Sequence, residues 1–454
     1  IDDWRRKLLN RNWTLLAEYL GDNEEDRLAV AKRIVREGDH VLLSQVPACV
    51  FGHLKTVDRT EIEFYRGVVN LFNEYLAGKE TRPLNLAVFG FPGSGKSFGI
   101  KQIAQSQNVF QDFTFNLSQF TSLRELEIAF QVVRDTAIRG KKVPLVFFDE
   151  FDSAFQGEKL GWLKYFLAPM QDGTFLDQGT ERPVGRAVFV FAGGTSVSFE
   201  QFVGQDEAFF RSVKGPDFVS RLKGYINIQG PNPSSDKDEW YVIRRAMLLR
   251  SMVERNAGHL LDEHKRVRIE ENLLHALLTT KTYRHGARSM EFLLAMSQLK
   301  DATVWQASLL PNENQMDIHV DMSDFRQQLS LLTVIETLAR ASHESYVESV
   351  LARHPEAKGE ALVPWDRLPE TYRKSNYDQV AYHCFRFRKY GIGIRPADGH
   401  EPRPFVYRKD DLEALAREEH ARWMRERERD GWRYGEVRDN EKKLHPCMVE
   451  WERL

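Results

Sequence analysis

The sequence is poor in the features that mark secreted, membrane-bound and metal-clustered proteins. Its three cysteines, Cys49, Cys384 and Cys447, are odd in number and far apart, with no C-x-x-C pair. That argues against a disulfide framework or a zinc site and fits a reducing, cytoplasmic setting. No apolar run nears the ~18 residues of a bilayer crossing, so no membrane partner is expected. No charged-then-apolar leader is present. The chain begins at Ile1 instead of methionine, so its N-terminus is expected to be clipped or incomplete. Neither sign of charge dominates: 64 Lys and Arg stand against 66 Asp and Glu. There is no global pull toward nucleic acid, and the lack of a basic stripe counts against a nucleic-acid remodeller.

What is present is an ordinary globular composition over 454 residues, enough for two to four domains. The most informative stretch is "AVFGFPGSGKSFGI". Gly90, Gly95, Lys96 and Ser97 satisfy G-x-x-x-x-G-K-[ST], between an apolar strand pattern over 84–89 and a helical pattern over 98–104. That is the context of a phosphate-binding loop. Glycines let backbone N–H groups curl around phosphates, and the helix N-terminus adds a positive dipole end. Gly90, Pro92, Gly93, Ser94, Gly95, Lys96, Ser97 and Phe98 are the expected nucleotide cradle. Lys96 is expected on the β- and γ-phosphates and Ser97 on Mg²⁺.

A second apolar run, Val143 to Phe148, ends in Asp149 and Glu150. It reads as a central parallel strand with two acids at its C-terminal end, where open α/β sheets bind ligands. Asp149 is expected to hold Mg²⁺, and Glu150 to orient and activate water. A third strand in "RAVFVFAGGTS" would bring Thr195 or Ser196 toward the γ-phosphate.

In this order the parts resemble the AAA+ ATPases. GFPGSGKS matches the Walker A loop and LVFFDE the Walker B strand. "PDFVSRL", 216 to 222, resembles the segment that carries an arginine finger. The resemblance implies that Arg221 enters a neighbouring subunit's ATP site, with Arg211 as the alternative. "HGARSMEFLL", 285 to 294, is similar to the sensor 2 motif and implies that Arg288 reaches the γ-phosphate of its own subunit. "FLAPMQDGTFLDQG" is similar to the segment before sensor 1 in Clp-type members. Thr195 in the sensor 1 position departs from the asparagine frequent there, and no aromatic–glycine pore loop lies between the Walker motifs. The resemblance spans about 83 to 300 and implies a homo-oligomer, as a ring or arc.

Apolar residues at helical spacing over 237–256 and 270–299 predict a helical lid. Residues 1–82 read as a mostly helical segment without chemistry. Its Trp4, Leu8, Leu9, Trp13, Leu16 and Leu20 stripe suits packing better than a membrane surface. Beyond the lid the chain repeats. "IETLARASHESYV" aligns with "LEALAREEHARWM" and "ALVPWDRL" with "CMVEWERL". Leu338 pairs with Leu415, Arg340 with Arg417, His343 with His420, Tyr346 with Trp423 and Trp365 with Trp451. These segments resemble ryanodine-receptor (RyR) repeats. That implies a regulatory module for a nucleotide-like ligand or protein partner, with Trp423, Trp432 and Tyr434 available to stack a base. Equally, these tryptophans suit a core, and His343 and His420 suit packing better than metal binding. "FRFRKYG", 385 to 391, suits an amphipathic helix end better than a nucleic-acid contact. The second copy stops at Leu454 where the first continues, so a longer protein is expected.

The expected fold is therefore α/β, with a parallel P-loop sheet of AAA+ type. The expected domains are a helical segment (1–82), the α/β domain (83–230), a lid (231–324) and two RyR-like repeats (325–454). The expected function is hydrolysis of Mg·ATP at subunit interfaces, biased by the repeats. The alternative is a slow ATP-dependent conformational switch. Family analogy alone extends this to bacterial stress or antiviral signalling.

Overall fold

The computed structural model describes residues 24–91, 93–235, 238–389, 409–429, 431–439 and 441–454. The tryptophan–leucine stripe at the N-terminus, Pro92, and the end of the FRFRKYG segment lie outside them, as do the side chains of Cys384 to Lys389. The chain divides into two compact units between Ser330 and Leu331.

The first unit is built on five strands: β1 (Leu84–Gly90), β2 (Phe110–Asn116), β3 (Val143–Asp149), β4 (Val188–Ala192) and β5 (Gly224–Ile228). They pair in the order β2-β3-β4-β1-β5, all parallel. β1, β3 and β4 read as near-continuous apolar runs because both of their faces are covered. Alternate residues serve opposite sides. Ala87, Phe89, Phe148, Phe189 and Phe191 enter a phenylalanine-rich core with Phe130, Phe151, Phe166 and Phe218. Leu86, Val88, Phe147 and Val190 face the other core, with Ile100, Ile103, Tyr65 and Phe72. At about 1.5–3 kcal/mol per buried aromatic side chain, these cores outweigh any single polar contact in the site. Substitutions in the site are therefore expected to alter chemistry before they unfold the sheet.

The N-terminal part of this unit is not wholly helical. A hairpin, Cys49–Phe51 with Leu54–Thr56, precedes the helix Arg59–Ala77. The earlier helix, Glu24–Glu37, packs on the lid: Lys32 pairs with Glu271 at 2.7 Å, and Arg250 donates to the Val35 carbonyl at 3.1 Å. The lid holds the helices Tyr241–Asn256, Glu271–Thr279 and Ala287–Met296. Arg245, fully buried, fastens its loops by donating to the carbonyls of Pro231, Leu278, Thr280 and Lys281 between the rings of Tyr241 and Tyr283. Carbonyl dipoles and ring faces take the place of a carboxylate there. Among the described residues, no helix is long and apolar enough to cross a membrane.

In the second unit the two repeats carry matching contacts. His343 meets the Val363 carbonyl at 2.8 Å, and His420 meets the Val449 carbonyl at 2.7 Å. Arg340 reaches Asp366 at 3.4 Å and Arg417 reaches Glu452 at 2.7 Å. Each histidine also has its ring centroid close to that of its tryptophan, 5.8 Å for Trp365 and 5.9 Å for Trp451. One ring nitrogen of each histidine thus holds the following loop onto its helix.

Candidate nucleotide site

Strand β1 ends at Gly90, and the loop that follows leads into the helix Lys96–Gln107. No side chain caps that helix; its N-cap is Gly95. The Phe98 N–H donates to the Gly95 carbonyl at 2.9 Å, which leaves the N–H groups of Lys96 and Ser97 to face an anion. A Cβ on Gly93 (φ +79°) would sit 2.3 Å from the His285 carbonyl oxygen. Only glycine allows the loop to run this close to the lid. The Lys96 ammonium donates to the carbonyls of Gly90 at 3.0 Å and Phe91 at 3.3 Å. Burial lowers its pKa, the carboxylate of Asp152 opposes this, and Arg288 adds to the lowering.

One strand, β3, delivers both acids, with β4 standing between it and β1. Asp149 closes β3 in register with Asn116 on β2 and Ala192 on β4. Ser97 Oγ donates to Asp149 Oδ1 at 3.3 Å. Burial raises the Asp149 carboxyl, while the Ser97 hydroxyl, Lys101 and Lys96 work against that. Glu150 follows with φ 54°, a left-handed conformation that costs a non-glycine residue about 1–2 kcal/mol. Its N–H is held by the Ala192 carbonyl at 2.8 Å, and its side chain faces the same cavity as Lys96.

That cavity, about 540 Å³, runs between the sheet and the lid. Gly93, Ser94, Gly95, Lys96, Ser97, Phe98, Asp149, Glu150 and Arg288 all line it. Gly90 adjoins it through the Lys96 contact, and Pro92 lies outside the described residues. Arg288, in the first turn of Ala287–Met296, has no ion pair among the described residues.

The far end of the cavity was not foreseen. His53, Leu54, Val57 and Tyr65 line it from the segment expected to carry no chemistry, opposite Met247, Leu248 and Met252 of the lid. Glu61 is buried in the same wall. Its carboxyl accepts from Thr56 Oγ1 at 2.7 Å and from the Gln229 N–H at 3.1 Å. Burial, reinforced by Asp58, pushes its pKa up to about 7 against the pull of Thr56, Arg244 and Gln229. The signal in the sequence was slight: an Asp58 cap followed by Glu61 in the first helical turn.

Two expected residues are elsewhere. Thr195 does not line the cavity; its hydroxyl donates to Asp152 Oδ2 at 2.5 Å, and Gly193 and Gly194 face the cavity instead. Asp152 takes the hydroxyl because it is buried among that loop's donors. Arg221 stands before β5, its carbonyl accepting from Asn85 near the start of β1. At ~3.3 Å per residue along β1, that is roughly 15–20 Å from the phosphate loop. Its guanidinium donates to the Asp217 carbonyl and to Gln171. Arg211 is exposed and paired with Glu207 at 2.7 Å.

A parallel sheet in which an interior strand feeds a glycine loop and uncapped helix, with two acids at the end of the strand two places away, defines a P-loop nucleotide-binding protein. Residues 86–178 match the ATPase family associated with various cellular activities (AAA), and residues 408–454 match the RyR domain. The chain thus joins an AAA ATPase domain to a C-terminal RyR domain. No curated protein matches it. Among solved structures, NtrX from Brucella abortus in complex with ADP is similar at 12% identity and a TM-score of 0.36, over 79% of this chain and 73% of that one. At that likeness nothing follows for this chain's ligand.

In the RyR domain, Arg427 lies over Trp432 at 5.3 Å and Trp423 at 6.0 Å, and His445 stands 4.9 Å from Trp423. Arg427 and His445 thus each lie beside both tryptophan rings, while Tyr434 is exposed.

Proposed function

We propose that this protein binds ATP in the cavity between sheet and lid and hydrolyses its β–γ bond. The observation that carries the reading is the convergence of Lys96, Ser97, Asp149, Glu150 and Arg288 on one cavity with an uncapped helix N-terminus. Lys96 and the loop N–H groups hold the phosphates, and Arg288 meets the terminal one from the lid. Glu150 accepts the proton of the attacking water. Ser97 Oγ and Asp149 offer the hard oxygen donors that suit Mg²⁺, which when bound neutralises phosphate charge. The far end, where Leu54, Val57, Met247 and Met252 stand beside the polar Glu61 and Thr56, suits the base.

Arg221 lies outside its own chain's cavity, which fits a role in a neighbouring subunit of a homo-oligomer. The RyR repeats then serve as a regulatory module for a nucleotide-like ligand or protein partner, in a cytoplasmic protein. The test is ATP hydrolysis per subunit against protein concentration, with Arg221→Ala alongside. A rate that rises with concentration and collapses in the variant is expected. A flat, slow rate indifferent to Arg221 supports the alternative, a self-contained nucleotide switch. The intramolecular contacts of Arg221 with Gln171 and Asp217 are what favour that second reading.

A further inference from the structure

We propose that Asp152 is a positioning residue for hydrolysis, holding the loop after β4 against Glu150. The inference rests on the hydrolytic reading above. Asp152 is 3% exposed. Four donors of a single loop converge on its carboxyl. The Gly194 N–H lies 2.7 Å from Oδ1, and the N–H groups of Thr195 and Ser196 lie 2.8 and 3.2 Å from Oδ2. The Thr195 hydroxyl makes the fourth bond, at 2.5 Å. Hydrogen bonds to a charged acceptor are about twice as strong as neutral ones, so this loop has one preferred course.

That course presses it onto the acid. A Cβ on Gly194 would stand 3.2 Å from Glu150 Cγ, so the loop backbone forms a wall beside the Glu150 side chain. Phe151, between the two acids, is fully buried and ringed by Phe89, Phe191, Phe202 and Phe218. Asp152 is therefore held from the core side and the loop is held by Asp152. Glu150 meanwhile sits in a left-handed conformation that its surroundings must maintain. The Gly-Gly-Thr-Ser tip thus serves as a buttress whose hydroxyl points to Asp152.

Asp152→Asn in the full chain tests this. An amide keeps one acceptor oxygen and turns its N–H₂ toward N–H donors. We expect kcat to fall about 10- to 100-fold, the scale seen when a group supporting a functional side chain is lost. ATP affinity stays close to wild type, the unfolding midpoint falls by several degrees as buried donors lose their acceptor, and Asp152→Glu recovers part of the rate. In a Glu150→Gln background the substitution adds no further loss. An unchanged kcat overturns the proposal. So does a parallel fall in affinity and midpoint that Asp152→Glu does not relieve. If Asp152→Asn does not fold, Thr195→Val removes one donor without changing shape, and a wild-type kcat there overturns the proposal as well. A wild-type rate that survives Glu150→Gln is a different outcome, because it overturns the hydrolytic reading itself.

Discussion

Glu61 offers a test that needs no nucleotide. Its pKa is pushed from an ordinary 4.5 to about 7 in the folded protein, burial being the main cause. The folded state therefore binds a proton that the unfolded chain has released between those values. Where the folded state binds more protons, stability falls as pH rises. The stabilisation is fully present below pH 4.5 and is lost as pH rises through about 7. The separation corresponds to about 3 kcal/mol at most, at 1.36 kcal/mol per pH unit. In a unit of this size that is several degrees in Tm. Glu61→Gln supplies a neutral isostere that still accepts from the Gln229 N–H. Unfolding midpoints of both proteins would be measured from pH 5 to 8.5. The wild type is expected to lose ground to the variant as pH rises, with the difference levelling off above pH 8. A difference that stays constant over this range would refute the account of a buried carboxyl that ionises at a cost.

The remaining predictions concern the nucleotide. Lys96→Ala is expected to lose ATP affinity by at least tenfold, since one charge-assisted hydrogen bond is worth about 1.5–3 kcal/mol; calorimetric titration reads this directly. Glu150→Gln should keep that affinity and lose turnover by about 10²–10⁴-fold, as removal of a general base does. Gly93→Ala forces a methyl toward the His285 carbonyl and a disfavoured φ, so loop and lid must part. Weaker ATP binding with little change in the unfolding midpoint is the expected result, and undiminished affinity would mean that loop and lid need not touch.

Much of the sheet and half of the site were legible because they are local. A phosphate loop is a turn chemistry of eight consecutive residues, and its glycines, lysine and serine announce it without reference to the rest of the chain. β1, β3 and β4 show themselves as unbroken apolar runs because both faces are buried. The regular apolar spacing of the lid likewise led to the helices Tyr241–Asn256 and Glu271–Thr279. The hairpin at Cys49–Thr56 did not show itself, since three-residue strands carry no measurable period. Glu61 was passed over because a glutamate in the first turn of a helix is ordinary. Its burial depends on Gln229, 168 positions away.

Asp152 makes the same point at shorter range. In the row Asp149, Glu150, Phe151, Asp152 it reads as one more acid, and Thr195 reads as a hydroxyl available to a ligand. Only the pairing of β3 beside β4 brings the two together, and the hydroxyl then goes to the buried carboxylate. The sequence by itself determined which residues can bind phosphate, hold a cation or move a proton, since those are properties of side chains and adjoining turns. Which of them share a cavity, which are spent on one another, and that Arg221 lies at the far edge of β1, the tertiary structure alone decided. Burial and hydrogen bonding between distant segments depend on strand order, and no local pattern encodes that order.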